Sequence, residues 1–73
     1  MKYKVGDKVE ARSDLVVNEV YGKDAFVSYM SEYLGKVVTI SSFHFDLKDN
    51  ITGYHIEDKG GWCFTDEMLE PLD

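Results

Sequence analysis

The chain has 73 residues, 44% hydrophobic and 14% aromatic, with a net charge of −6 at neutral pH. That length fits a single domain, residues 1–73, able to bury only about 60% of its unfolded surface. The aromatic supply favours a folded globule over a disordered chain, one cysteine excludes an intrachain disulfide framework, and the negative charge argues against direct nucleic-acid binding.

In chain order, Val5, Asp7, Val9 and Ala11 alternate with Gly6, Lys8, Glu10 and Arg12. This period of two predicts a half-buried strand, entered through a tight turn at Gly6. A long irregular stretch follows, with turn signals at Ser13-Asp14-Leu15 and Tyr21-Gly22-Lys23-Asp24. Within it, Phe26, Met30, Tyr33 and Leu34 fall at i, i+4, i+7 and i+8, an apolar stripe predicting one to three helical or 3₁₀ turns. Asp24 is the expected cap and Gly35 the expected left-handed stop.

Lys36 to about Phe45 is rich in strand formers, with Val38 and Ile40 expected inward and Val37 and Thr39 outward. Asp46-Leu47-Lys48-Asp49-Asn50 reads as a polar turn. Ile51 to Glu57 returns as a strand with Tyr54 and Ile56 on one face and His55 on the other. Asp58-Lys59-Gly60-Gly61 reads as a hairpin turn. Trp62 and Phe64 then share a face, with Cys63 opposite. Thr65 is expected to cap a short turn at Asp66-Glu67-Met68, and Pro71 limits the last strand to an edge.

Charge is unevenly spread. Lys2, Lys4, Lys8 and Arg12 make the first twelve residues basic, while twelve of the fourteen acids lie beyond residue 12. Asp66, Glu67, Glu70 and Asp73 cluster near the end. No apolar run is long enough to span a membrane and no signal-peptide pattern is visible, so a reducing cytoplasm is the expected setting.

Strand, long loop, three-stranded meander, 3₁₀ turn and short last strand predict an all-β fold. It is expected to be a small five-stranded SH3-like barrel with a short helical or 3₁₀ insertion in the first long loop. The wording carries further: Lys4-Val5-Gly6-Asp7-Lys8-Val9 with Arg12-Ser13-Asp14-Leu15, Tyr21-Gly22, Tyr33-Leu34-Gly35-Lys36, Tyr54-His55-Ile56-Glu57-Asp58, Trp62, and Asp66-Glu67-Met68-Leu69-Glu70-Pro71. In order and spacing this resembles the short SH3-like proteins of phages and prophages of Gram-positive bacteria. The resemblance covers nearly the whole chain. It implies a fold and a phage origin, and it brings no catalytic residues.

No catalytic set is visible. There is no nucleophile elbow and no glycine-rich phosphate loop. Cys63 has no adjacent base. His44 and His55, the only histidines, match no metal spacing and are expected to face each other across a hairpin. No cofactor or metal is expected.

Binding remains. Trp62, Tyr21 and Tyr29 are candidates to line a groove between the first loop and the meander, with Glu57 and Asp58 at its rim. Asp66, Glu67 and Glu70 would extend an acidic face. The expected function is a non-enzymatic protein-binding module, monomeric or weakly dimeric. It would dock on or inhibit a host protein with a basic surface, such as a defence nuclease. The alternatives are sequestration of a signalling nucleotide, which would use the Lys2, Lys4, Lys8 and Arg12 strip, and a structural role in a phage complex.

Overall fold

The computed structural model describes residues 2–58 and 60–72. Among the described residues, seven strands run in order: β1 (Lys8–Ala11), β2 (Val20–Tyr21), β3 (Asp24–Ala25), β4 (Val37–Phe45), β5 (Ile51–Ile56), β6 (Cys63–Phe64) and β7 (Leu69–Pro71). A 3₁₀ helix, Ser28–Tyr33, separates β3 from β4, and a shorter one, Asp66–Met68, separates β6 from β7. Lys59 of the expected hairpin turn and Asp73 of the terminal acidic group lie outside the described residues.

Five strands form one antiparallel sheet in the order β6-β5-β4-β1-β7, and β2 and β3 form a separate two-stranded ribbon. The chain is therefore all-β with little helix. The five-stranded sheet is open, with β6 and β7 as its edges. Pro71 sits in edge strand β7, where its missing N–H costs nothing to a neighbour.

β4 is the organising element. Its first residues pair with β1, Val38 opposite Val9, and its later ones with β5, Phe43 opposite Tyr54. Register irregularities fall between Ile40 and Ser42 and between His44 and Phe45. Such bulges bend and twist a strand, so one nine-residue segment serves two neighbours in succession.

The alternation read from sequence holds in the strands. Val9, Ala11, Val38, Ile40, Tyr54, Ile56 and Phe64 are buried. Val37 is exposed and His55 half-buried. Val5 is the exception, at 56% exposure. It lies in a turn before β1, closed by the Asp7 N–H donating to the Lys4 carbonyl (3.0 Å) and the Lys4 N–H to the Asp7 carboxylate (3.1 Å).

Phe26 and Met30 of the stripe are buried at 0% and 2% exposure, with Tyr33 and Leu34 packed against the same core. Gly35 ends this segment at φ +73°, a conformation that a Cβ disfavours. Two expected caps are corrected. Asp24 lies in β3, pairing with Tyr21, and Val27 occupies the cap position without a side-chain hydrogen bond. The helix is 3₁₀ and starts later than an α-helix from Asp24 would. Thr65 does sit at the start of the second 3₁₀ turn, but its buried hydroxyl donates to the Tyr21 carbonyl (2.8 Å) instead of capping.

The core is tied together by Tyr54. Its fully buried hydroxyl accepts the Tyr3 N–H (3.0 Å) and donates to the Asp66 carboxylate (2.5 Å). The Tyr3 ring meets it edge-on at 5.6 Å. Burial, then the bond to Asp66, pushes the Tyr54 phenol up to about 12.

Candidate functional site

A surface cleft of about 470 Å³ opens between the first 3₁₀ helix and the β5–β6 connection, lined by Tyr29, Glu32, Tyr33, Asp58, Gly60 and Trp62. The helix type explains half of this lining. In a 3₁₀ helix residues three apart eclipse. Met30 and Tyr33 therefore share the inward side, and Tyr29 and Glu32 share the outward one. Tyr33 is held by an edge-on contact with buried Phe64, with centroids 5.9 Å apart.

Trp62, just before β6, supplies the other wall. It is half-buried and packs against the core margin. Its indole stacks on the Tyr29 ring with centroids 5.5 Å apart and planes 3° from parallel, an offset stack of the favoured kind. A Cβ at Gly60 would lie 2.1 Å from Trp62 Nε1, so glycine is required for the indole to lie there. The Asp58 carboxylate accepts the Gly60 N–H (3.0 Å), which fixes the turn beside the cleft.

A histidine relay backs Trp62. Its carbonyl, 3.3 Å from His55 Nδ1, can only accept, so that nitrogen is the donor. His55 Nε2 lies 3.2 Å from His44 Nδ1, within hydrogen-bond distance. The pair expected to face each other across the β4–β5 hairpin thus does so, with rings 5.1 Å apart.

The remaining sequence candidates occupy other settings. Tyr21 does not line the cleft: its hydroxyl accepts the Val16 N–H (2.8 Å) and its ring packs on the core. Asp66 is engaged by Tyr54. Glu67 is exposed beside Gly22, and its carbonyl accepts from Arg12 (2.8 Å). Glu57 is exposed just past β5. Glu70, on β7, lies directly across from Glu10, and the two line a second cleft of about 580 Å³ with Pro71 and Leu72. Glu32 and Tyr33 were not anticipated as lining residues. The i, i+3 relation of Tyr29 to Glu32 was the available signal.

The basic N-terminal strip is partly consumed. Arg12 makes a forked pair with Asp14 at 2.7 and 3.0 Å, which lowers the Asp14 carboxyl and raises the guanidinium. Lys8 donates to the Thr39 hydroxyl (3.1 Å). Cys63 donates to the Asp24 carboxylate at 3.3 Å, and burial, then that bond, pushes its thiol up to about 12. A thiol so placed stays protonated at neutral pH. Among the described residues no group of three or more His, Cys, Asp or Glu is placed to hold a metal ion. Nor, among these residues, is any helix long and apolar enough to cross a membrane.

No protein-family profile, curated protein or solved structure matches this chain.

Proposed function

We propose that the chain is an SH3-like barrel serving as a non-enzymatic protein-binding module, and that the Tyr29–Trp62 cleft is where it docks on a basic protein surface. Three features support the SH3-like reading: the ribbon in the long first loop, the β4-β5-β6 meander, and a 3₁₀ turn leading to a last strand that returns to β1. The observation that carries the functional reading is the cleft itself, an exposed aromatic stack flanked by the carboxylates of Glu32 and Asp58. In the phage setting that the sequence resemblance implies, the partner is a protein of the bacterial host.

Sequestration of a signalling nucleotide is less well supported. It needs convergent cations, and Arg12 is already committed to Asp14 and the Glu67 carbonyl.

The test is capture of host proteins on immobilised wild type, Tyr29→Ala and a Glu32→Lys, Asp58→Lys double variant, each at low and high salt. Proteins retained by wild type at low salt should be lost with either variant, and their retention should fall as salt screens the carboxylates. Identical retention on all three surfaces would overturn the reading.

A further inference from the structure

We propose that the cleft recognises an arginine side chain, stacked by its guanidinium on the Tyr29–Trp62 step and held by Glu32 and Asp58. This rests on reading the cleft as a docking surface and adds the chemistry of its occupant.

Ring orientation comes first. Tyr29 and Trp62 are within 3° of parallel, so they form a flat step and not a box. Trp62 is stacked by Tyr29 and lies close against Gly60, while Tyr29 is 72% exposed. The accessible π surface is therefore carried mainly by Tyr29, with the indole behind it. A flat step suits a flat partner. A guanidinium is planar, weakly hydrated and able to stack on an aromatic face. A tetrahedral ammonium, methylated or not, gains most when aromatic faces surround it, which parallel rings cannot do.

Charge comes second. Among the described lining residues, Glu32 and Asp58 are charged and both are acids. These carboxylates repel phosphate-bearing ligands, including nucleotides, whose bases could otherwise stack here. They lie on different elements, one on the 3₁₀ helix and one past β5, and flank the aromatic step. An N–H fork with donors along its edges can address carboxylates while its face remains on the ring, which a point-charge ammonium cannot do as well. Of the two carboxylates, Asp58 is already oriented by the Gly60 N–H.

Trp62 is the only tryptophan, so its fluorescence reports on this cleft directly. The probe is a short capped glycine peptide carrying one central arginine, compared with the same peptide carrying lysine or citrulline. Citrulline keeps the planar shape and removes the charge. The arginine peptide should change Trp62 emission saturably, and binding should weaken roughly tenfold for citrulline and severalfold for lysine. Glu32→Gln and Asp58→Asn should each weaken the arginine peptide and narrow its margin over citrulline. Tyr29→Ala, at an exposed position and with circular dichroism confirming the fold, should abolish the preference for arginine over lysine.

Equal binding of arginine and citrulline would overturn cation recognition. Lysine binding as well as arginine would overturn the planar-stacking argument. If no peptide perturbs Trp62 while a captured host protein still needs Tyr29, the arginine assignment falls and the docking surface stands. If host capture is also indifferent to Tyr29, both fall.

Discussion

Replacing Tyr54 by Phe removes one oxygen atom and keeps the ring. That oxygen is fully buried, accepts the Tyr3 N–H at 3.0 Å and donates to Asp66 at 2.5 Å. Its loss leaves a backbone donor without its acceptor and a half-buried carboxylate without its donor. A buried group left unpaired costs about 1–3 kcal/mol, and a hydrogen bond to a charged group contributes about 1.5–3 kcal/mol. The two losses overlap because one hydroxyl serves both, so about 2–4 kcal/mol is the expected destabilisation. In a domain of this size each kcal/mol shifts Tm by about 4–8 °C, so the variant should melt at least about 8 °C below wild type. Thermal and urea unfolding at neutral pH would measure this. The same hydroxyl gives the wild type an alkaline limb. The folded phenol titrates at about 12 against 10 when free, so between those values the native state holds a proton that the unfolded chain has released. Stability therefore falls as pH rises from 10 towards 12. Cys63, raised from 9 to about 12, adds a loss that begins earlier. Tyr54→Phe should flatten the upper part of this decline and leave the Cys63 part. A Tm within two degrees or so of wild type at neutral pH, or an unchanged alkaline profile, would refute the idea that this hydroxyl ties the N-terminal segment to the second 3₁₀ turn.

Met30→Asp places a carboxylate where a side chain is 2% exposed, and should cost roughly 2–5 kcal/mol from lost burial and unpaired charge; chemical denaturation would check it, and a cost under about 0.5 kcal/mol, the range of ordinary surface substitutions, would contradict the packing. Gly60→Ala should drive the indole from its stack, because the new methyl carbon would meet Trp62 Nε1. Trp62 emission should shift towards that of a solvated indole while the far-ultraviolet dichroism of the sheet stays. Cys63, its thiol raised to about 12 by burial and Asp24, should react with iodoacetamide at neutral pH far more slowly than in urea, as mass spectrometry can follow; equal rates would mean that the thiol is not held as described.

The inward faces of the strands were legible because period-two alternation depends only on neighbours along the chain. Val9 and Ala11, Val38 and Ile40, Tyr54 and Ile56 all follow from it. The stripe from Phe26 to Leu34 was legible as buried, but not as 3₁₀, because i, i+4 spacing alone cannot distinguish a tight helix with flanking extended residues from a regular one. That ambiguity misplaced the Asp24 cap. It also hid Glu32, whose place beside Tyr29 depends on a three-residue turn. Thr65 and Tyr21 show a different limit. The hydroxyl of one meets the carbonyl of the other across forty-four positions, and no local pattern announces such a bond. Tyr3 is similar: its burial depends on the Tyr54 hydroxyl, far along the chain. The pairing of Tyr29 with Trp62 was anticipated only as two candidates for one groove. Their near-parallel stacking is set by the backbone of Gly60 and the turn at Asp58.

The position of β7 has a kinetic consequence. Its pairing joins Val9 to Pro71 and Ala11 to Leu69, so the outer side of β1 stays unpaired until nearly the whole chain is available. Contacts so distant in sequence are slow to form. When they do form, Glu70 is placed directly opposite Glu10, and like charges across a strand pair weaken it. The strand that completes the sheet is thus weakly held along β1, and local opening is expected there. In hydrogen exchange, the amide of Glu70 should lose protection before those where β4 meets β5.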